Sequence, residues 1–332
     1  MAEKKIHEVL CALEYGLEMQ KKINQAFAPA KVYHVKFEDD ETIRSIIDRV
    51  DVAVLPTDLD ERILAGSRLK WVHCCHAGLT LSARKEVFDR GILLSGGAGR
   101  SAPSLAEHTF FFALALTYGA FLLKEEQENK DWHATWMRYA YSRGMNGKIM
   151  GIIGLGHTGM AVAKRAKAFD MRVIAYSRRK RETLPENVDV CYAQDAGEGF
   201  EVLLKESDYI VLCCNLSDET YHLIGKEELA MMKDSAFLIN MARGQVVDQD
   251  ALYGALRDKV IAGAGCDVFN EEPLPPSDPL WELPNIIITP HATPHVPDRA
   301  ARSTDALFEN IERYKRGERL VNQSDLRDVY TK

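Results

Sequence analysis

The chain has 332 residues, 46% of them hydrophobic and 27% charged, which is the composition of an ordinary globular protein and enough length for two domains. Its formal net charge of -7 argues against a nucleic-acid partner or an anionic membrane surface, because both attract basic proteins. The longest apolar run, Phe110–Leu116, is far shorter than the roughly 20 residues that cross a bilayer, and no signal-peptide pattern is found, so we expect a cytoplasmic protein.

Short β-like runs alternate with helix-like segments through the first 100 residues. The predicted strands are 7–14, 31–37, 50–56, 69–75 and 91–96, and the predicted helices are 15–27, 41–49 and 83–90. Alternation of this kind is typical of a parallel sheet covered by helices.

The segment 101–127 is predicted to form one long helix, with Ser101 as its cap and Pro103 in its first turn. The alternation then begins again, with strands at 147–154, 171–177, 208–216, 235–242, 260–268 and 285–290 and helices from about 158 and over about 298–315. The sequence therefore predicts an α/β fold with two doubly wound parallel-sheet units joined by two crossings of the chain.

The seven cysteines include the adjacent pairs Cys74–Cys75 and Cys213–Cys214, and both pairs lie in apolar, strand-like runs. An odd number of cysteines without a Cys-x-x-Cys motif favours buried free thiols over disulfides or metal ligands. We expect no metal site, and free thiols fit a reducing cytoplasm.

A glycine-rich turn, Gly154-Leu-Gly156-His-Thr-Gly159, follows an apolar strand and precedes a helix. In this context the glycines allow a tight turn, a close approach of backbone to a pyrophosphate, and close packing of helix on strand. The start of the helix adds free N–H groups and a positive dipole end. The turn therefore predicts a dinucleotide site.

The second strand of this unit ends in "AYSRRKR", where many NAD-binding proteins have an acid for the ribose 2′-hydroxyl. Ser177 can donate a hydrogen bond to a 2′-phosphate, and Arg178 or Arg179 can bind it with a planar fork of donors. The same arginines can also simply face water. Because the acid is absent where it is expected, we favour NADP(H), with NAD(H) as the alternative.

Polar residues follow three later strands of the same unit: Arg243, then Asp267 and Glu272, then His291. Ligands of open α/β sheets bind at the carboxyl ends of the strands, so these side chains are expected to converge. Together they suit hydride transfer to a 2-oxo acid. Arg243 would bind the substrate carboxylate and polarise the keto oxygen, His291 would protonate that oxygen, and Glu272 would orient the imidazole. Asp267, at the tip of its strand, would bind the carboxamide of the nicotinamide.

With these motifs the sequence resembles a known family, the D-isomer-specific 2-hydroxyacid dehydrogenases. The stretches that carry the resemblance are "GKIMGIIGLGHTGMAVAKRAKAFDMRVIAYSRR", "LSDETYHLIGKEELAMMKDSAFLINMARGQVVDQDALYGAL", "AGAGCDVFNEEPLP" and "LWELPNIIITPHAT". They cover about 100–320 closely, and the N-terminal part matches more loosely.

The resemblance implies a flavodoxin-like substrate domain, residues 1–100 plus 298–332, into which a dinucleotide-binding Rossmann domain, residues 101–297, is inserted. It also implies a homodimer and an Arg–Glu–His catalytic set, which falls on Arg243, Glu272 and His291. The cofactor contacts that it implies, besides the glycine turn, are His157, Thr158, Ser177, Arg178, Arg179, Cys214, Met241, Ala242, Arg243, Asp267 and His291.

In such proteins backbone N–H groups of a loop in the first domain also contact the substrate carboxylate. The matching stretch is "CCHAGLT", so the candidates are Ala77, Gly78 and Leu79. Arg100, which follows the next strand, is expected to face solvent.

Three functions remain open at this stage. The favoured one is an NADP(H)-preferring reductase of a small 2-oxo acid, such as glyoxylate or hydroxypyruvate. An enzyme of the same scaffold that oxidises formate or phosphite is the second, although formate-oxidising relatives have an amide where Glu272 stands. The third is a dinucleotide-sensing binding protein with little catalytic activity.

Overall fold

The computed structural model describes residues 4–132, 144–294 and 299–332, which form two compact units. The first unit comprises Met1–Arg100, Ser217–Glu219 and Pro297–Lys332, and the second comprises Ser101–Leu216 and Thr220–Val296. Each unit has its own all-parallel sheet with helices, so the predicted α/β class with two doubly wound sheets is confirmed.

The first unit has a five-stranded sheet in the order β2-β1-β3-β4-β5, which is the order of flavodoxin-like folds. Its strands are β1 (Glu8–Cys11), β2 (Lys31–His34), β3 (Val52–Leu55), β4 (Trp71–Cys74) and β5 (Leu93–Gly96). Its helices are α1 (Leu17–Phe27), α2 (Asp40–Ile46), α3 (Glu61–Leu64), α4 (Lys85–Asp89) and, near the C-terminus, α11 (Arg299–Arg316). The core of one sheet face includes Trp71, which stacks on Tyr314 of α11 with ring centroids 5.3 Å apart.

The predicted single helix over 101–127 is wrong, because the chain forms two helices, α5 (Ala102–Tyr118) and α6 (Ala120–Asn129). Gly119 between them is left-handed, with φ at 61°, and its N–H bonds to the carbonyls of Ala115 and Leu116, which ends the first helix. Ser101 stands before the helix without capping it, since its hydroxyl is directed at the carbonyl of Pro294. No single helix of the described residues is long and apolar enough to span a membrane, and α5 and α6 meet that test only as a pair bent by 56°.

The second unit has a seven-stranded sheet in the order β12-β11-β10-β9-β6-β7-β8. Its strands are β6 (Ile149–Ile153), β7 (Arg172–Ser177), β8 (Val190–Ala193), β9 (Tyr209–Leu212), β10 (Phe237–Asn240), β11 (Gly263–Cys266) and β12 (Ile286–Ile288). Besides α5 and α6, its helices are α7 (His157–Ala168), α8 (Glu201–Glu206), α9 (Lys226–Met231) and α10 (Gln249–Arg257). The chain order reverses between β6 and β9, and that reversal is where dinucleotides bind in such sheets.

All seven cysteines are free thiols; Cys11, Cys74, Cys75 and Cys266 are buried, and the other three are partly exposed. Burial raises the pKa of the Cys74 and Cys266 thiols to about 12. These thiols are therefore neutral near pH 7 and serve as small apolar side chains in the core.

Candidate active site

The glycine turn follows β6 at the point where the strand order reverses. Gly154 has φ at 100°, and a Cβ on it would lie 2.5 Å from the Cys214 nitrogen, so only glycine fits there. A Cβ on Gly156 would meet no atom within 4 Å, which leaves open space on that side of the turn. Helix α7 begins at His157, followed by Thr158 and the buried Gly159. The turn thus has the close backbone packing and the open face that a pyrophosphate site requires.

The end of β7 uses its serine differently from the sequence-based interpretation. The Ser177 hydroxyl donates to the Arg179 carbonyl at 2.8 Å, and the residue is 7% exposed, so this hydroxyl holds the loop in shape. Arg178 lies near Cys214: burial raises the pKa of this thiol to about 12, and the arginine's positive charge opposes the increase. The charge of Arg178, after β7, therefore acts on the thiol of Cys214, after β9.

Arg181 is a basic residue of this loop that the sequence analysis did not select. Its Nη2 donates to the carbonyl of Leu155, inside the glycine turn, at 2.5 Å. A guanidinium charge therefore lies at the turn itself. The run "SRRKR" indicates that the loop is basic, but only the fold shows which arginine reaches back to β6.

His291 and Glu272 form a direct pair. Nδ1 of His291 lies 2.7 Å from Oε2 of Glu272, and Oε1 of the same carboxylate accepts a hydrogen bond from the Phe269 N–H at 3.0 Å. The carboxylate is held on both sides, which fixes the imidazole with Nδ1 toward it. Nε2, the nitrogen on the opposite side of the ring, makes no hydrogen bond within the described residues, and the side chain is 38% exposed.

The backbone of His291 is also constrained. Its φ of 50° lies in the left-handed region, which costs a residue with a Cβ roughly 1–2 kcal/mol. Its N–H donates to the carbonyls of Asp267 at 2.9 Å and Thr289 at 3.1 Å. The position of the imidazole is therefore determined by the tip of β11 as well as by Glu272.

Arg243 lies in a turn that follows β10 and is organised by Asn240. The buried Asn240 side chain accepts from the Ala242 N–H at 3.0 Å and donates to the Arg243 carbonyl at 3.1 Å. Arg243 Nη1 donates to the carbonyl of Ala242 at 2.6 Å. Met241 and Ala242 are buried beneath this turn. The sequence analysis did not select Asn240, although a single amide side chain inside the apolar run "FLINMA" indicates a polar residue with a structural or functional role.

Gly244 brings the Arg243 turn against the loop that carries Glu272. A Cβ on this glycine would overlap the backbone carbonyl of Phe269. Since the Phe269 N–H holds the Glu272 carboxylate, the geometry of the His291–Glu272 pair depends on this close approach. Through Gly244 and Phe269 the turn that carries Arg243 is thus packed against the loop that carries Glu272.

Gly244→Ala is accordingly expected to destabilise the protein by about 1–3 kcal/mol through overpacking and to lower its turnover by displacing Phe269. Gly254→Ala is the matched control: a Cβ there meets nothing within 4 Å inside α10, so helix propensity predicts a gain of about 0.5–1 kcal/mol. Thermal unfolding of both variants checks this. Equal melting temperatures for the two would contradict the packing described for Gly244.

Ala77, Gly78 and Leu79 belong to the loop after β4 in the first unit. Gly78 has φ at 80°, so the turn of this loop requires glycine. The expectation that Arg100 faces solvent is wrong. Its guanidinium donates to the carbonyl of Cys75, at the start of the same loop, and to Ser303 Oγ at 3.0 Å, because the end of β5 directs it into the first unit.

No group of three or more His, Cys, Asp or Glu side chains is placed to hold a metal ion in 4–132, 144–294 and 299–332.

Comparison with known proteins gives a consistent result. Residues 110–293 match the family model "D-isomer specific 2-hydroxyacid dehydrogenase, NAD binding domain". The chain is 37% identical over 292 residues to a glyoxylate reductase of Korarchaeum cryptofilum, covering 84% of this chain and 85% of the relative. It is 35% identical to a glyoxylate reductase of Thermococcus litoralis, covering 87% and 85%.

A solved structure adds a similarity of fold. The D-isomer specific 2-hydroxyacid dehydrogenase of Xanthobacter autotrophicus Py2, in complex with NADPH and MES, superposes with a TM-score of 0.77 at 27% identity. The match covers 98% of this chain and 99% of that one.

Proposed function

The chain belongs to the D-isomer-specific 2-hydroxyacid dehydrogenase family, and from that premise we propose that it reduces a small 2-oxo acid, such as glyoxylate or hydroxypyruvate, to the D-2-hydroxy acid. The observation that carries the proposal is the 2.7 Å pair between His291 and Glu272, in the same unit as the glycine turn. The dinucleotide would lie along that turn, where Gly156 leaves open space and α7 begins.

A reduced nicotinamide, when bound along the glycine turn, would supply the hydride for the carbonyl carbon of the substrate. His291 Nε2 donates the proton that the carbonyl oxygen takes up, so the C=O π bond breaks as the new C–H and O–H bonds form. Glu272 stabilises the charged imidazole, and because it bonds to Nδ1, Nε2 lies on the side of the ring opposite the carboxylate. The ring returns to its charged form by taking a proton from water before the next turnover.

Arg243 would bind the substrate carboxylate and stabilise negative charge on the keto oxygen. The Asn240 bonds hold the turn that places its guanidinium. The backbone N–H groups of Ala77, Gly78 and Leu79 are proposed as further substrate contacts, with residues 1–100 plus 298–332 as the substrate domain and 101–297 as the cofactor domain.

We propose NADP(H) as the preferred cofactor. The support is positional: Arg178 directly follows β7, Arg181 contacts the glycine turn, and none of the residues 178–181 is an acid that would repel a 2′-phosphate. Ser177 contributes by shaping the loop, since its hydroxyl already donates to Arg179.

The double change Arg178→Ala and Arg179→Ala is expected to raise the KM for NADPH by about tenfold or more while changing the KM for NADH little. A charge-assisted hydrogen bond contributes roughly 1.5–3 kcal/mol, and only NADPH has the phosphate that would receive it. Arg257→Ala, an arginine of α10 paired with its neighbour Asp258, is the control. Steady-state kinetics with both cofactors checks this, and equal effects on NADPH and NADH would reject the 2′-phosphate assignment.

Substrate class is tested by initial rates with glyoxylate, hydroxypyruvate, pyruvate and bulkier 2-oxo acids, each with NADH and NADPH. We expect oxidation of the cofactor with the smaller acids. Cofactor binding without oxidation by any of them would instead support a dinucleotide-sensing protein, which the reductase names of the relatives do not favour.

We also propose a homodimer in the cytoplasm. The exposed side chains of Phe111, Tyr118, Phe121 and Trp132, on and just after α5 and α6, support an apolar contact between copies. The free thiols suit a reducing compartment. Light scattering on the purified protein tests the dimer, and a monomer at micromolar concentration would contradict it.

A further inference from the structure

A line of three polar side chains runs beneath His291 in the second unit. Nε2 of His108, on α5, lies 3.1 Å from Oγ1 of Thr289, and that hydroxyl donates to Oδ1 of Asp267 at 2.6 Å. Asp267 stands at the tip of β11 and is only 2% exposed. These contacts join residues that are 181 and 22 positions apart in the chain.

The proton positions along this line follow from the chemistry of its members. The Thr289 hydroxyl has one proton, which it donates to the Asp267 carboxylate, so its oxygen can only accept from His108. His108 must therefore carry a hydrogen on Nε2. Burial lowers the pKa of His108, with the charge of Asp267 opposing the decrease, so the neutral Nε2–H form fits this position. The imidazole is also fixed by a T-shaped contact with Phe112, with ring centroids 4.6 Å apart.

The second carboxylate oxygen of Asp267, Oδ2, takes no part in this line of hydrogen bonds. Oδ2 of Asp267 makes no hydrogen bond within the described residues, although the side chain is more than nine-tenths buried. This second oxygen is therefore open to a hydrogen-bond donor supplied by a ligand. The Asp267 carbonyl accepts the His291 N–H, so the same residue is linked to the proposed proton donor.

We propose that His108 is a positioning residue that acts through Thr289 to hold the Asp267 carboxylate toward the carboxamide N–H of the nicotinamide. The inference rests on the proposed function and adds to it a residue on α5, outside the strand ends. Its chemical consequence is selectivity for a pyridine ring that bears an N–H donor. A residue that only filled the core would confer no such selectivity.

The test compares NADPH with its reduced 3-acetylpyridine analogue, in which a methyl group replaces the carboxamide nitrogen, by calorimetric titration. We expect the wild-type protein to bind NADPH more tightly than the analogue by about tenfold, the value of one hydrogen bond to a charged group. Thr289→Val should remove most of this preference by weakening NADPH binding, with analogue binding unchanged. Thr289→Ser, which keeps the hydroxyl, should retain the preference.

His108 is tested by a second matched pair. His108→Gln can still donate from its amide to Thr289, so the preference should survive, whereas His108→Leu should reduce it by about threefold or more. Equal loss of affinity for both ligands, or no loss in Thr289→Val and His108→Leu, would overturn the inference and leave the proposed function standing. If the wild-type protein bound neither ligand and did not oxidise NADPH in the presence of any 2-oxo acid, both the inference and the proposed function would be overturned.

Discussion

His291→Ala is expected to lower kcat for 2-oxo acid reduction by about 10² to 10⁴, the usual contribution of a positioned proton donor. Glu272 and the left-handed backbone hold the imidazole, and no other histidine among the described residues forms a pair with Glu272. Without that donor, the proton must come from water, which is not oriented. Steady-state rates with glyoxylate and NADPH measure the loss.

The control for this change is His222→Ala. His222 also has φ at 50° but lies between β9 and α9, where its ring stacks on Tyr221. Both variants therefore lose a histidine whose backbone is left-handed, but only His291→Ala should lower kcat. If His291→Ala kept near wild-type turnover, the assignment of the proton donor would be wrong.

Arg243→Ala is expected to lower kcat by about 10² to 10³, as the removal of a donor to a developing oxyanion does, and to raise the KM of the 2-oxo acid as well. The fall in kcat/KM should therefore exceed the fall in kcat. Arg243→Lys should restore little, because a lysine cannot make the paired, planar hydrogen bonds of a guanidinium. The kinetics of both variants at saturating NADPH check these values.

Calorimetric binding of NADPH supplies the control for Arg243. The affinity for NADPH should change little, since the side chain is assigned to the substrate and the two Asn240 bonds still hold the turn in the variant. An unchanged kcat/KM for every 2-oxo acid would remove Arg243 from the site.

The fold could be predicted from the sequence because buried strands of parallel sheets are short apolar runs bounded by turns, and both sheets follow that pattern. Several elements were not predicted, and two of these differences have clear physical reasons. Gly119 breaks a helix that is otherwise continuous in helix-forming residues, since one left-handed glycine has no effect on apolar periodicity. The edge strand β8 was not predicted, because its residues "VCYA" lie in a mixed stretch without clear turns.

The site was predictable as a set of strand ends but not as a network of bonds. Strand order places Arg243, Asp267 and His291 at one edge of the sheet, whereas the 2.7 Å contact to Glu272 depends on how the loop after β11 folds. The direction of the Ser177 hydroxyl and the contact of Arg181 with the glycine turn depend in the same way on loop conformation.

The most direct test uses NADPH deuterated at the transferred position, with hydroxypyruvate as substrate. We predict D-glycerate that carries one deuterium at C2 for each NADPH oxidised, and almost none from His291→Ala. NADPH that binds but is not consumed, or product without deuterium at C2, would contradict direct hydride transfer to the carbonyl carbon of a 2-oxo acid, and glycerate of the opposite configuration would contradict a D-2-hydroxy acid as the product.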